Sequence, residues 1–292
     1  MVGRRDYRNR SARIPHNARK HVRLILPADL LMTADGGSLA RASRAGVLTA
    51  VEDQKIISLL PDRLRSPENH WVAVTQRARV IVHSADRVKP EELSTYEALA
   101  DEQWKGRIVI RSSSNSYNQS LMATIIEANG EEKALAWAEA IVANMARSPQ
   151  GNDRDQVRAV AAGLADIAVV NTYYIGLLAK SEDEADREVA EAVKIFFPNQ
   201  EGRGAHFNIS GIGVTKASKK QELAEQFIAF LLSDEVQSIY NTSTHEYAVS
   251  KTVEPSELQK EWGEFKADEV PLSTLADHNA DAVRLFDEAG WE

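Results

Sequence analysis

The chain has 292 residues, of which 43% are hydrophobic and 27% charged, the balance of a soluble globular protein with one large or two medium domains. It contains no cysteine, which excludes disulfides, thiolate metal sites and cysteine nucleophiles. No apolar run approaches the ~18 residues that a membrane-spanning helix needs.

The charge is distributed unevenly. Residues 1–23 hold eight Lys or Arg against one acid, leaving 27 basic and 42 acidic residues, a net charge of −15, for the rest. The acidic body disfavours broad nucleic-acid contact, because phosphate binding needs a basic surface. The basic arm could be a nucleic-acid tail, but Tyr7 is its only aromatic residue. The apolar patch that follows is interrupted by charges and a proline, so no signal peptide is predicted in the chain as given, and we expect the arm to be disordered.

From residue 28 onward the pattern is that of an α/β protein. Apolar or alternating runs predict strands at 28–33, 71–74, 80–83, 108–110, 167–170, 193–197 and 208–215. Amphipathic periodicity predicts helices at 38–45, after 117, and at 131–146, 153–163, 183–192, 223–232, 235–240 and 277–289. Residues 35–37 are predicted as a turn, 76–79 as a polar break between two strands, and 94–97 as a capping box that opens a helix.

A serine-rich turn, R-S-S-S-N-S-Y, follows the predicted strand at 108–110. Several of its residues are good helix N-caps, so hydroxyl groups and free helix-terminal N–H groups would lie together, an arrangement that suits an anion. The alternative is a simple N-cap with additional serines.

Two adjacent tyrosines, Tyr173 and Tyr174, follow the strand at 167–170, whose four apolar residues predict burial on both faces. The carboxyl ends of strands in open α/β sheets meet at one edge, where ligands bind, so this pair is expected near the serine-rich turn. Adjacent side chains rarely converge, however, and one tyrosine could instead pack in the core while the other covers the surface.

Several enzyme classes lack their motifs. The seven histidines show no zinc-protease spacing, and there is no nucleophile elbow, Walker loop or dinucleotide-binding glycine motif. A serine-dependent enzyme that uses Ser112, Ser113 or Ser114 remains the enzyme alternative.

Five segments stand out together: R-S-S-S-N-S-Y-N-Q-S, P-Q-G-N-D, D-I-A-V-V-N-T-Y-Y, F-F-P-N-Q-x-G-R-G and H-F-N-I-S-G. They resemble the ferric-iron-binding solute receptors of bacterial ABC importers, in particular their cyanobacterial branch, and the resemblance runs from about Pro27 to Trp291. It implies a two-lobed α/β periplasmic binding protein of type II, transferrin-like, with an interlobe cleft that closes on Fe³⁺.

The resemblance also implies the metal ligands. In that family a tyrosine of the serine-rich turn and the adjacent tyrosine pair bind iron, and the matching residues here are Tyr117, Tyr173 and Tyr174. Fe³⁺ is a hard cation suited to anionic oxygen ligands, and it can deprotonate a phenol whose ordinary pKa is about 10. Three phenolates would balance its charge.

Residues that in relatives hydrogen-bond the ligands or hold a small synergistic anion match Ser112, Ser113, Ser114, Asn115, Asn152 and Asn171. Arg77 matches an arginine that lies near the metal in this branch, although it could equally be a surface or interlobe charge.

The amino end departs from the family. Relatives begin their first lobe with a strand, a helix and a strand, and a His-Tyr pair after the first strand supplies another ligand. No such unit is found here, and Tyr7 does not replace it. We therefore expect the first lobe to be incomplete, through a gene-start error, a frameshift or divergence.

These observations predict a first lobe of residues 24–82 and 204–254 and a second lobe of residues 83–203 and 255–292, preceded by the basic arm. The expected function is capture of Fe³⁺, with or without a synergistic anion, and its delivery to an inner-membrane ABC permease, by a periplasmic monomer without enzymatic activity or nucleic-acid partner. The alternative is a receptor for another small ligand, such as a phosphate ester or a polyamine.

Overall fold

The computed structural model describes residues 28–292, and the basic arm lies outside the described residues. The strands are β1 (Leu30–Thr33), β2 (Leu48–Thr49), β3 (Val72–Ser84), β4 (Ile108–Val109), β5 (Ile167–Asn171), β6 (Val193–Phe196), β7 (Phe207–Thr215) and β8 (Tyr247–Ala248).

The helices are α1 (Gly36–Arg44), α2 (Gln54–Leu59), α3 (Ser116–Asn129), α4 (Glu131–Asn144), α5 (Asp153–Ala161), α6 (Thr172–Ala179), α7 (Glu184–Glu191), α8 (Gln221–Leu231), α9 (Asp234–Ile239), α10 (Glu257–Trp262), α11 (Thr274–Asp277) and α12 (Asn279–Glu288). Within residues 28–292, none of them has the length and apolar character that a membrane crossing requires.

Strand β3 is the central strand of the fold, because it connects its two parts. Its first part, Val72–Ala78, pairs with β7 and β8, and its second part, Arg79–Ser84, pairs with β5 and β6. The sequence predicted two strands with a polar break, which is wrong: β3 runs unbroken for 13 residues. The arginines of the supposed break are buried and hydrogen-bonded inside the protein, so their polarity did not mark a loop.

The sheet therefore has two halves that share β3. The first half adds β1, β2, β7 and β8, all in antiparallel pairs, and the second adds β4, β5 and β6. Strands β4 and β5 are parallel and are joined through α3, α4 and α5, which confirms the predicted strand–helix–strand order.

Each half has its own hydrophobic core. One cluster covers the first half, and two others cover the opposite faces of the second. In β5, Ile167 and Val169 belong to one of these clusters and Ala168 and Val170 to the other, so the strand is buried on both faces, as predicted. The chain is thus a two-lobed α/β protein. The exact lobe boundaries and the incompleteness of the first lobe stay predictions.

Two short predicted segments differ from the structure. The predicted turn at 35–37 is instead the start of α1, because the carboxylate of Asp35 caps the helix by accepting from Ser38 N at 2.7 Å. The predicted helix after residue 94 is only a 3₁₀ turn, Glu97–Ala100. Thr95 Oγ1 accepts from Ala98 N at 3.0 Å, but Asp101 returns to an extended conformation.

Gly204 allows the chain to enter β7 beside the segment around Lys266. Its φ is +94°, and a Cβ atom there would lie 2.6 Å from Lys266 O. Ala205 N donates to the same oxygen at 2.8 Å, so the two backbones are held together at this point.

We predict that Gly204→Ala destabilises the protein more than Gly163→Ala. Gly163 also has a positive φ, +78°, but open space around the added methyl. Its substitution costs the left-handed strain alone, about 1–2 kcal/mol, whereas Gly204→Ala must also displace backbone, which costs about 1–3 kcal/mol more. Urea unfolding of both variants measures the difference, and equal losses would contradict the close approach.

Candidate functional site

The first tyrosine stands at the beginning of α3. Strand β4 leads into the serine-rich turn, and the side chain of Asn115 caps the helix by accepting from Tyr117 N at 3.0 Å. Tyr117 is therefore the second residue of the helix, half-buried, at the carboxyl edge of the sheet.

The adjacent tyrosines stand at the beginning of α6, directly after β5. Their rings are 4.2 Å apart between centroids and inclined by 33°. The hydroxyl oxygen of Tyr173 lies 3.2 Å from that of Tyr117. Three phenols from two separate turns thus form one group, here called the tyrosine cluster, and all three side chains are half-buried.

Two phenols of the cluster, Tyr173 and Tyr174, hold their protons when no ligand is bound. Burial is the main reason why the pKa of Tyr173 is raised far above its ordinary value, and the negative charge that Tyr117 and Tyr174 would carry raises it further. Burial also raises the pKa of Tyr174, although the hydrogen bond with Tyr173 offsets part of the effect. At neutral pH, Tyr173 and Tyr174 are neutral phenols, so a ligand that needs phenolates must displace their protons.

Three arginines surround Tyr117. The guanidinium carbons of Arg77, Arg79 and Arg111 lie 5.6, 5.8 and 5.6 Å from the centroid of its ring. Side chains alternate along a strand, so Arg77 and Arg79 share one face of β3. Arg77 and Arg79 bring positive charge to the cluster from β3, and Arg111 brings it from the serine-rich turn.

Arg77 is buried, with 2% of its surface exposed, and is not a surface charge. Its guanidinium donates to Ser210 Oγ at 3.2 Å and to the carbonyl of Ala34, and it lies 3.6 Å from Glu246 Oε1. These partners belong to β7 and to the segments next to β1 and β8, so Arg77 joins the first half of the sheet to the tyrosine cluster.

Arg79 and Asp153 form a buried ion pair that the sequence reasoning missed. Arg79 is 1% exposed and Asp153 0%, and Arg79 Nη1 lies 3.2 Å from Asp153 Oδ2. The same nitrogen donates to Asn171 Oδ1 at 3.2 Å, and Nη2 donates to Asn118 Oδ1 at 2.7 Å. The alternation R-A-R in a strand was the signal that could have identified Arg79 beside Arg77.

The predicted polar residues around the cluster are partly engaged with the protein itself. Asn115 and Asn152 cap α3 and α5, and Asn152 Oδ1 accepts from Arg154 N at 2.9 Å. Ser112 Oγ lies 2.9 Å from Ser114 Oγ, and Ser113 N donates to Glu292 O at 3.0 Å.

Asn171 has one unsatisfied donor. Its Oδ1 accepts from Arg79, but its Nδ2 is buried without a hydrogen-bond partner among residues 28–292. A buried amide without a partner is uncommon in native structures and is often completed by water or a ligand.

The segment that precedes β8 also contacts α6. His245, in a left-handed conformation with φ +59°, packs so closely on Gly176 that a Cβ atom there would lie 2.5 Å from the histidine ring. Burial lowers the pKa of His245, so it is neutral at neutral pH. Within residues 28–292 no group of three or more His, Asp or Glu side chains is placed to hold a metal, so the cluster of phenols is the oxygen-rich candidate site.

Comparison with known proteins gives a consistent picture. The model of the family described as bacterial extracellular solute-binding protein matches residues 25–265. The chain is 48% identical to iron uptake protein A1 of Synechocystis over 266 residues, 91% of this chain and 74% of the relative. It is 26% identical to the Fe(3+)-binding periplasmic protein of Serratia marcescens over 90% of this chain and 76% of the relative.

Solved structures agree with the fold. That of Trichodesmium IdiA (FutA) in complex with iron and citrate is 47% identical with a TM-score of 0.88, covering 91% of this chain and 84% of that one. Apo FutA2 from Synechocystis is 44% identical with a TM-score of 0.87, covering 91% and 85%. The predicted fold class, a two-lobed binding protein of the transferrin-like type, is confirmed.

Proposed function

Because the chain belongs to the family of bacterial extracellular solute-binding proteins, we propose that it captures Fe³⁺ with the phenolates of Tyr117, Tyr173 and Tyr174 for iron uptake. The observation that carries the proposal is the convergence of three phenols from two turns, with two hydroxyl oxygens only 3.2 Å apart. The chain is a binding protein and not an enzyme, since its relatives are named for iron uptake and ferric binding.

The chemistry of the cluster favours a strongly acidic metal ion. Phenols with raised pKa values lose their protons only to a cation that stabilises the phenolate strongly, and Fe³⁺ is such a cation. A weakly acidic cation would compete poorly with the protons. The relative from Serratia marcescens that is named for Fe(3+) binding supports this choice of metal, and the relatives from Synechocystis and Trichodesmium are named for iron.

We extend the proposal to a small anion that binds next to the metal. Near the cluster, the positive charges of Arg77, Arg79 and Arg111 exceed by one the negative charges of their partners Asp153 and Glu246. Asn171 Nδ2 adds a free buried donor among the described residues, and the serine-rich turn adds Ser112, Ser113 and Ser114. One anion would balance this charge.

A polyamine is a poorer fit than a metal ion. Polyamines need carboxylates that face the ligand, but Asp153 and Glu246, which contact the arginines around Tyr117, are each paired with arginine. A phosphate ester would suit the arginines but leaves the phenols without a role.

The family description, bacterial extracellular solute-binding protein, supports a location outside the cytoplasm, and we propose the periplasm for this chain. We propose that the loaded protein, as a monomer, delivers iron to an ABC permease of the inner membrane. Delivery of iron requires reversible binding, and protonation of the tyrosine phenolates provides a route to release of the ion.

We predict that ferric citrate added to the metal-free protein produces a visible phenolate-to-iron charge-transfer band. Replacing Tyr173 and Tyr174 together by Phe should abolish the band and weaken iron binding by more than about a hundredfold, because loss of outer-shell partners alone costs about 10- to 100-fold. Absorbance titration against citrate measures both effects.

Tyr247→Phe is the matched control for this experiment. The Tyr247 hydroxyl is buried without a partner among residues 28–292, and its ring packs on Trp262 and Phe265 rather than in the cluster. This variant should keep the full band, whereas a full band in the double variant would refute the tyrosine ligands.

We predict that iron affinity falls steeply as the pH is lowered. Tyr173 and Tyr174 have raised pKa values, so both are protonated below neutral pH, and each must release its proton when iron binds. The apparent dissociation constant should therefore rise by up to about tenfold per pH unit for each of them. Titration from about pH 8 to about pH 5, corrected with a protein-free ferric citrate series, measures the slope. A flat profile would indicate carboxylate ligands, which are already ionised in this range.

A further inference from the structure

Asp153 contacts the segments that lead into both tyrosine-bearing helices. Its Oδ2 accepts from Asn171 N at 3.0 Å and from Arg79 Nη1 at 3.2 Å, and its Oδ1 accepts from Arg111 Nη1 at 3.4 Å. Asn171 is the last residue before α6, and Arg111 begins the serine-rich turn before α3. One carboxylate therefore bridges the two turns.

We propose that Asp153 is a positioning residue that sets the distance between Tyr117 and the Tyr173–Tyr174 pair, and thereby the geometry of the metal site. The meaning of that distance rests on the proposed function, since it matters only if the three phenols bind one ion.

The connection to Tyr117 runs through two arginines. Arg111 bonds Asp153 directly and lies over the Tyr117 ring. Arg79 bonds Asp153 and also Asn118, the residue after Tyr117. Asn118 in turn donates to the carbonyls of Arg111 and Ser112, at 2.8 and 3.2 Å, and so closes the network around the turn.

The connection from Asp153 to the tyrosine pair is one hydrogen bond, donated by the backbone N–H of Asn171. Asn171 N–H points at Asp153, and the Asn171 side chain accepts from Arg79, so the residue that leads into α6 is held from two sides. Tyr173 follows two residues later, in the first turn of the helix.

Burial makes this connection rigid. Asp153 has no exposed surface, so water cannot replace a lost partner, and the carboxylate holds its three donors in one geometry. Ligand geometry in metal sites depends on such outer partners, whose loss costs about 10- to 100-fold in metal affinity.

Asp166 offers a matched control at the other end of β5. It too bridges two arginines, accepting from Arg87 Nε and Arg107 Nε, both at 2.6 Å. It precedes Ile167, whereas Asp153 bonds the last residue of the strand, Asn171.

The experiment compares Asp153→Asn with Asp166→Asn in the full chain. With iron from ferric citrate, Asp153→Asn should shift the charge-transfer maximum and weaken binding by about 10- to 100-fold, while Asp166→Asn keeps the wild-type maximum and affinity. In the metal-free protein, hydrogen exchange should be faster at residues 171–174 in Asp153→Asn alone, a readout that needs no iron.

The possible outcomes separate the positioning role of Asp153 from the proposed function. An unchanged maximum, affinity and exchange rate in Asp153→Asn would overturn the positioning role, and so would equal changes in both variants. If Asp153→Asn does not fold, the milder Arg111→Lys, in a partly exposed side chain, should shift the maximum away from its wild-type position, and no shift there would overturn the role. Absence of a band in the wild type would refute the proposed function instead, leaving the exchange result to judge Asp153.

Discussion

The buried ion pair between Arg79 and Asp153 holds the candidate site together. Removing two charges from water costs several kcal/mol per ion. Asn118, Asn171, Arg111 and a strand carbonyl offset this cost by hydrogen-bonding the carboxylate and the two terminal nitrogens of the guanidinium, while Arg79 Nε has no partner among residues 28–292. The three side-chain partners, Asn118, Asn171 and Arg111, precede or begin α3 and α6. The hydrogen bonds that stabilise this ion pair thus hold the turns before α3 and α6 in place. These two turns in turn set the positions of the three tyrosines.

The second constraint is the continuity of β3. Because one strand serves both halves of the sheet, Arg77 and Arg79 stand on the same face where the halves meet. Arg77 reaches toward the first half and Arg79 toward the second. The site therefore lies at the junction, with contacts to both halves of the sheet. This position suits a receptor that must hold and then release its cargo.

Much of the fold could be predicted from the sequence, because most strands and helices have clear periodicity. The three tyrosines were identified by resemblance, and the structure brings them together, although metal ligation stays a proposal. The sequence analysis divided β3 into two strands because its arginines, which are buried and hydrogen-bonded in the structure, have the polarity expected of a loop. Asp153 was missed because its importance comes from contacts distant in sequence, with Arg79 and Asn171. Its neighbour Asn152 was named instead, and the side-chain oxygen of Asn152 serves as a helix cap.

The most direct test of the account is a crystal structure of the iron-loaded protein with anomalous diffraction measured at the iron edge. The account predicts one strong anomalous peak at the tyrosine cluster, bonded to the hydroxyl oxygens of Tyr117, Tyr173 and Tyr174, with the Arg79–Asp153 pair intact beneath it. A peak elsewhere, or iron bound at the cluster by fewer than two of these oxygens, would contradict it.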